Sequence, residues 1–284
     1  MIPEFHYKLG WRVPARRPGF HASTATGAGM EFVGHASLAG GADPRRIDVR
    51  ASLASHSGEW LVRVHRARSA VSVHVLLDVS ASMGFAGVQR KVEVVTQFVE
   101  SAAFSARRTG DAFGLVAADD AIRSELRVPA SHARSAVQLV VERLRDIRPA
   151  NGSAGLLSAA EWLPRSRALV FLVSDFHFPL DQVAALLDAT AHHELVPIVV
   201  WDAAEWRLLP KFGLVDLLDP ETGSRRTVLM RASVRARWRA AADARRATLT
   251  DCFRSRRRRP FFVDGRFDAD ALTRYFLGED PHAA

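Results

Sequence analysis

The run RALVFLVSD, ending at Asp175, constrains this chain more than any other stretch. A strand with one wet face alternates polar and apolar residues, and this one does not, so it is read as a strand buried on both faces. Such burial needs layers above and below. VSVHVLLD, ending at Asp78, and ELVPIVVWD, ending at Asp202, read as further strands of the same sheet. Helical patterns lie between them. VQRKVEVVTQFVESAAFSARRTG carries apolar residues at spacings of three and four and stops at Gly110, a residue suited to a C-cap. Further helices are read over SHARSAVQLVVERLRDIR, with Ser131 as N-cap, and over AGLLSAAEWL, PLDQVAALLDATAHH, RASVRARWRAAADARRATLTDCFRSR and DADALTRYFLG. DAFGLVAA reads as a strand with AIRSELRV as its short partner, and RPFFVDG as a last strand. GLVDLLDPETGSRRTVLM reads as a hairpin around Asp219-Pro220-Glu221-Thr222-Gly223.

Strands alternating with helices predict an α/β fold over 66–284: a three-layer sandwich around a mostly parallel central sheet with one antiparallel edge strand. Residues 1–65 are rich in Gly, Pro, Ala and Arg and alternate only briefly, as in WLVRVHR, which predicts an extended arm with short strands. Asp43, Arg45, Arg46 and Asp48 are expected to pin that arm to the domain through salt bridges. The N-terminus has no signal-like apolar core, no stretch reaches the length that spans a bilayer, and the lone Cys252 cannot form an internal disulfide. The expectation is a cytoplasmic protein without a membrane span. The formal charge of +8 is compatible with an anionic partner, and equally with an Arg- and Ala-rich coding bias.

Carboxyl ends of parallel strands are where α/β sheets place their sites. Three loops meet that description: DVSAS with Asp78, Ser80 and Ser82; ANGSAGLL with Ser153; and LVSDFHF with Asp175, where His177 would line the rim. Two carboxylates and three hydroxyls are hard oxygen ligands of the kind Mg²⁺ takes, with Mn²⁺ or Ca²⁺ as alternatives. So few charged ligands would leave the metal electrophilic and ready to accept a carboxylate from outside, which suits recognition rather than catalysis.

This pattern, DxSxS after an apolar strand, a Gly-Ser loop and an Asp ending a later strand, resembles the von Willebrand factor A fold and its metal-ion-dependent adhesion site. The resemblance implies a metal held by Asp78, Ser80, Ser82, Ser153 and Asp175, with Ser153 where that family usually has Thr. Together with GMEFVGHASLAGGADPRRIDVRAS and LVRVHRARS upstream, the chain also resembles a bacterial family catalogued as domain of unknown function fifty-eight, whose members resemble partners of MoxR-type AAA+ ATPases. Here Gly41-Ala42-Asp43-Pro44-Arg45-Arg46-Ile47-Asp48-Val49 lacks an acidic residue and the Trp of the usual motif. The implied function is non-enzymatic: an adaptor that joins a MoxR-type AAA+ ATPase to a client presenting an acidic side chain.

Two other classes are weighed against it. A nucleic-acid-binding protein would use the basic surface, above all RSRRRRP near Arg256, which as a helix end is read first as a solvated face. A phosphoaspartate-type hydrolase would use Asp78 as nucleophile, but its usual second acid is replaced by Ser80. His74, His192 and His193 are read as core or cap residues rather than zinc ligands.

Overall fold

The computed structural model describes residues 2–14, 18–41, 43–205, 210–220 and 223–279. The chain divides into two compact units. The larger one comprises Met1–Lys8, Ser72–Arg108 and Ala112–Ala284; the smaller comprises Leu9–Val71 and Thr109–Asp111.

The smaller unit is a two-stranded antiparallel ribbon. β1 (Pro18–Ser37) pairs with β2 (Leu61–Ser69), and four register shifts let the longer strand bend along the shorter. The sequence suggested several short strands here because these irregularities break the alternation. Between the strands, α1 (Val49–Ala54) is capped by Asp48, whose Oδ1 accepts from Ala51 N at 3.1 Å. Asp48 Oδ2 takes Arg63 Nε at 2.8 Å and His35 Nε2 at 3.2 Å. These hydrogen bonds hold its carboxyl far below the usual range, with Arg63 the largest contributor. Asp43 Oδ1 accepts from Arg45 N at 3.0 Å. The bonds of Asp43 and Asp48 thus tie the ribbon to itself.

The larger unit holds a six-stranded sheet of order β10-β7-β6-β3-β4-β5. Its strands are β3 (Ser72–Asp78), β4 (Ala112–Ala118), β5 (Val128–Ser131), β6 (Leu169–Ser174), β7 (Glu194–Trp201) and β10 (Phe261–Asp264). All pairs are parallel except β4 with β5 at one edge. The helices are α2 (Lys91–Arg108), α3 (Arg134–Asp146), α4 (Gly155–Ala160), α5 (Leu180–Ala189), α6 (Ala232–Ser255) and α7 (Ala269–Leu277). A hairpin of β8 (Gly213–Leu218) and β9 (Arg225–Met230) precedes α6. This is an α/β sandwich with a mostly parallel central sheet. Two local expectations shift. The partner of β4 begins at Val128, because Ser124–Leu126 winds into a 3-10 turn instead of extending. Ser131 belongs to that strand, and α3 starts after Ala133.

Alternation along β6 explains the layers. Val170 and Leu172 face a cluster with Leu156 of α4, Leu186 of α5 and Phe253 of α6. Phe171 points the other way and meets Phe98 of α2 at 5.3 Å and Phe276 of α7 at 6.2 Å, edge to face. All three β6 residues are fully buried. Phe5 joins this second face, stacked on Phe98 and Phe276. Its N–H donates to Ser105 Oγ, and the next one, of His6, donates to Thr273 Oγ1. Among the described residues no helix is long and apolar enough to cross a membrane.

His74 on β3 lies directly opposite Gly114 on β4. A β-carbon at Gly114 would stand 2.9 Å from His74 Nδ1, so the glycine makes room for the ring. Burial pushes His74 down to about 4. The unfolded chain then binds a proton that the folded one refuses between about pH 6.5 and 4. Stability is therefore expected to fall as pH drops through that window, by about 3 kcal/mol in total from this residue. Urea denaturation across that range checks it: the His74→Leu variant is expected to lose this part of the slope.

Candidate functional site

β3 and β6 run parallel with Leu77 opposite Val173, so Asp78 and the pair Ser174-Asp175 leave the sheet side by side. Asp78 is 1% exposed and Asp175 fully buried. Asp78 Oδ1 accepts from Ser80 N at 2.8 Å, an Asx turn that bends the chain out of the strand. Asp78 Oδ2 accepts from Ser174 Oγ at 2.5 Å. Ser80 Oγ lies 3.3 Å from Ser82 Oγ, and Ser82 Oγ donates to Asp175 Oδ1 at 3.2 Å. The four residues Asp78, Ser80, Ser82 and Asp175 thus form one contiguous buried polar set. Ser153 is buried on the neighbouring loop, where Asn151 O accepts from Ala81 N at 3.0 Å. Its hydroxyl accepts from Gln182 Nε2 at 3.3 Å, so that contact joins it to α5 rather than to the two aspartates. Asn151 sits at φ 62°, in the left-handed region, and its amide donates to Asp119 Oδ2.

The two aspartates differ in their surroundings. Asp175 Oδ2 takes Lys91 Nζ at 2.7 Å. Lys91 is itself 2% exposed and also pairs with Glu205 Oε1 at 2.6 Å, while Glu205 Oε2 holds His177 Nε2 at 3.0 Å. The Asp175 carbonyl accepts from Trp201 Nε1, and His177 stacks on the Trp201 ring. Burial opposes the charge on Asp175, but Lys91 and His177 outweigh it and hold the carboxyl below its ordinary value. Burial likewise opposes the charge on Lys91, and the two carboxylates overcome it and raise its pKa. Asp78 has hydrogen-bond donors but no cationic side chain among its described partners. Burial first, and the charge of Asp175 second, push it up to about 7.

Lys91, Ser174, Glu205 and Trp201 escaped the sequence reading. For Lys91 a signal was present. It shares a helical stripe with Val94, Val95 and Phe98, all buried, and a lysine on such a stripe is a buried charge in search of a partner.

Among the described residues no three His, Cys, Asp or Glu side chains are arranged to hold a metal ion. Any cation here would rest on carboxylates supplemented by hydroxyls. The donor chemistry fits a hard divalent cation: the serine hydroxyls and Asp78 are oxygen donors, and Asp78 is a buried carboxylate whose charge Lys91 does not balance.

The fold and the site define the class: an α/β sandwich with a polar cluster at the carboxyl ends of central strands. The chain belongs to the family described as "Protein of unknown function DUF58", whose model matches residues 39–248. An "Uncharacterized protein in moxR 3'region" of Paracoccus denitrificans is 45% identical over 67 residues, 24% of this chain. The chain spans 64% of that relative's length. An aerotolerance-related membrane protein of Bacteroides fragilis NCTC 9343, solved with multiple mutations to serines, aligns over 74% of this chain and 98% of its own, with 14% identity and a TM-score of 0.46. BatB from Bacteroides thetaiotaomicron aligns over the same shares, with 13% identity and a TM-score of 0.41.

Proposed function

We propose that this protein is a metal-dependent protein-interaction module of the adhesion-site type, not an enzyme, and that it serves as an adaptor for a MoxR-type AAA+ ATPase. One observation carries the reading: Asp78, Ser80, Ser82 and Asp175 converge in a single buried set in which Asp78 has no cationic partner among the described residues. Mg²⁺ would rest on Ser80 and Ser82 with Asp78 as its charged ligand, Asp175 beside them and Ser153 approaching from its own loop. Bound there, the metal supplies an electrophilic position for an acidic side chain of the partner. Lys91 keeps Asp175 ionised and fixed, and Ser174 orients Asp78. The ATPase half of the reading draws on the Paracoccus denitrificans relative, whose name places it in the 3' region of moxR.

The test uses the full chain and a purified MoxR-type ATPase from the same genome, with affinity measured in Mg²⁺ and in chelator. Binding in Mg²⁺ that chelator abolishes, and that Asp78→Ala weakens about tenfold or more, is the expected result. Equal binding with and without metal would sink the proposal. Salt-sensitive binding to nucleic acid that ignores metal would favour the basic surface instead.

A further inference from the structure

We infer that the open edge of β10, with the arginine-lined groove beside it, receives an extended acidic segment of a partner protein as an added strand. β10 ends the sheet, and β7 is its only strand partner among the described residues. Gly265 N donates to Trp201 O of β7. Alternation along the strand then turns the main-chain N–H and C=O of Phe262 and Asp264 outward. Those groups form a template for a further strand.

A groove of about 1040 Å³ lies along this edge, walled by α6 and the start of α7. Its lining carries six arginines, Arg246, Arg254, Arg257, Arg258, Arg259 and Arg266, against four aspartates. Several of these charges are already engaged. Arg246 stacks on Phe262 at 4.0 Å, while Arg258 and Arg259 donate to the carbonyls of Ala191 and Tyr275. Asp268 caps α7. Arg254, Arg257 and Arg266 are exposed and make no ion pair among the described residues. Asp243, Asp251 and Asp264 are likewise exposed without an ion pair among the described residues, so the six arginines and four aspartates present a net charge of +2 to an incoming chain.

A strand as short as β10 offers few main-chain bonds, so side-chain charge must add the specificity, and the arginine excess of the lining selects carboxylates. A nucleic acid fits less well. The aromatic rings here are already covered: Phe262 by Arg246 and Trp201, and Phe261 by Tyr275. A base stacking here would have to displace those contacts. This groove is separate from the Asp78 cluster, and its occupancy does not depend on metal.

The experiment is fluorescence anisotropy with the full chain and three probes: a labelled synthetic peptide alternating glutamate and valine, the same peptide N-methylated at every residue, and single-stranded oligo-dT of matched charge. The first peptide is expected to bind, with or without chelator, and more weakly as salt rises. Arg254→Glu combined with Arg266→Glu is expected to weaken it about tenfold or more. Both positions are exposed, so the variant keeps its fold. N-methylation removes the peptide's donors, leaves the protein untouched, and is expected to weaken binding to a similar degree. The inference fails if charge reversal changes affinity by less than about twofold. It fails equally if the N-methylated peptide or the oligo-dT binds as tightly as the first peptide, since the groove would then be a general polyanion surface.

Discussion

Lys91→Met is expected to destabilise the sheet unit by about 3–5 kcal/mol, because it leaves buried carboxylates without their cation. The side chain is 2% exposed, and its ammonium lies within 2.7 Å of both Asp175 and Glu205. Methionine matches its length and keeps the packing, so the loss reports charge and not volume. The sign with pH follows from the two directions. Asp175 is held below its ordinary value, so its contribution is full above about pH 4 and lost as pH falls through the depressed value. Lys91 is held above its own, so its contribution is lost only as pH rises beyond about 10.5. Between those limits the loss is expected to shrink as pH falls through the range where His177 titrates, because Lys91 opposes the charge on that imidazole. Urea denaturation near neutral pH measures it. A difference under about 1 kcal/mol would show that the three groups are solvated or apart. The double variant Lys91→Met with Asp175→Asn should recover part of the loss, since it removes the orphaned carboxylate as well.

Asp78→Asn is expected to do the opposite in the absence of metal. The folded chain holds Asp78 at about 7, against an ordinary 3.8, because burial and the nearby charge of Asp175 disfavour its ionisation. A raised carboxyl binds its proton more tightly folded than unfolded. Stability therefore falls as pH rises from about 4 to about 7. Above that window, in chelator, the asparagine variant should exceed wild type by up to about 4 kcal/mol. Its amide can still donate to Ser174 Oγ, which keeps the strand end in place. Adding Mg²⁺ should reverse the ranking, because a cation bound only to the folded wild type stabilises it in proportion to saturation. Melting curves at pH 8, with Mg²⁺ and with chelator, read both halves. A variant less stable than wild type in chelator would mean that the Asp78 charge is already balanced, leaving no role for a metal.

The central strands were legible because burial on both faces removes polar residues from them, and RALVFLVSD shows that without help from any other part of the chain. The α2 helix was legible through its stripe and its glycine stop, Gly110, at φ 69°. β5 was misjudged because AIRSELRV has strand-like residues, yet the 3-10 turn at Ser124–Leu126 interrupts it and leaves only Val128 in the strand. The ribbon was underestimated because its irregularities hide a period of two. At the cluster, Asp78, Ser80, Ser82 and Asp175 announce themselves through spacing and strand position. Glu205 and Trp201 do not: they reach Lys91 and Asp175 only because β7 lies beside β6, which no local pattern encodes.

The docking of Phe5 has a consequence for how the chain is made. Its partners Phe98, Phe171 and Phe276 span the chain, and the His6 bond to Thr273 closes a loop of 267 residues. During synthesis the segment 2–8 leaves the ribosome long before α7, and the surface that receives it is complete only when α7 has emerged. Until then Phe5 has Phe98 and Phe171 to cover it but lacks Phe276. Residues 2–8 are thus expected to lock late, so changes at Phe5 would act on a late step of folding rather than an early one.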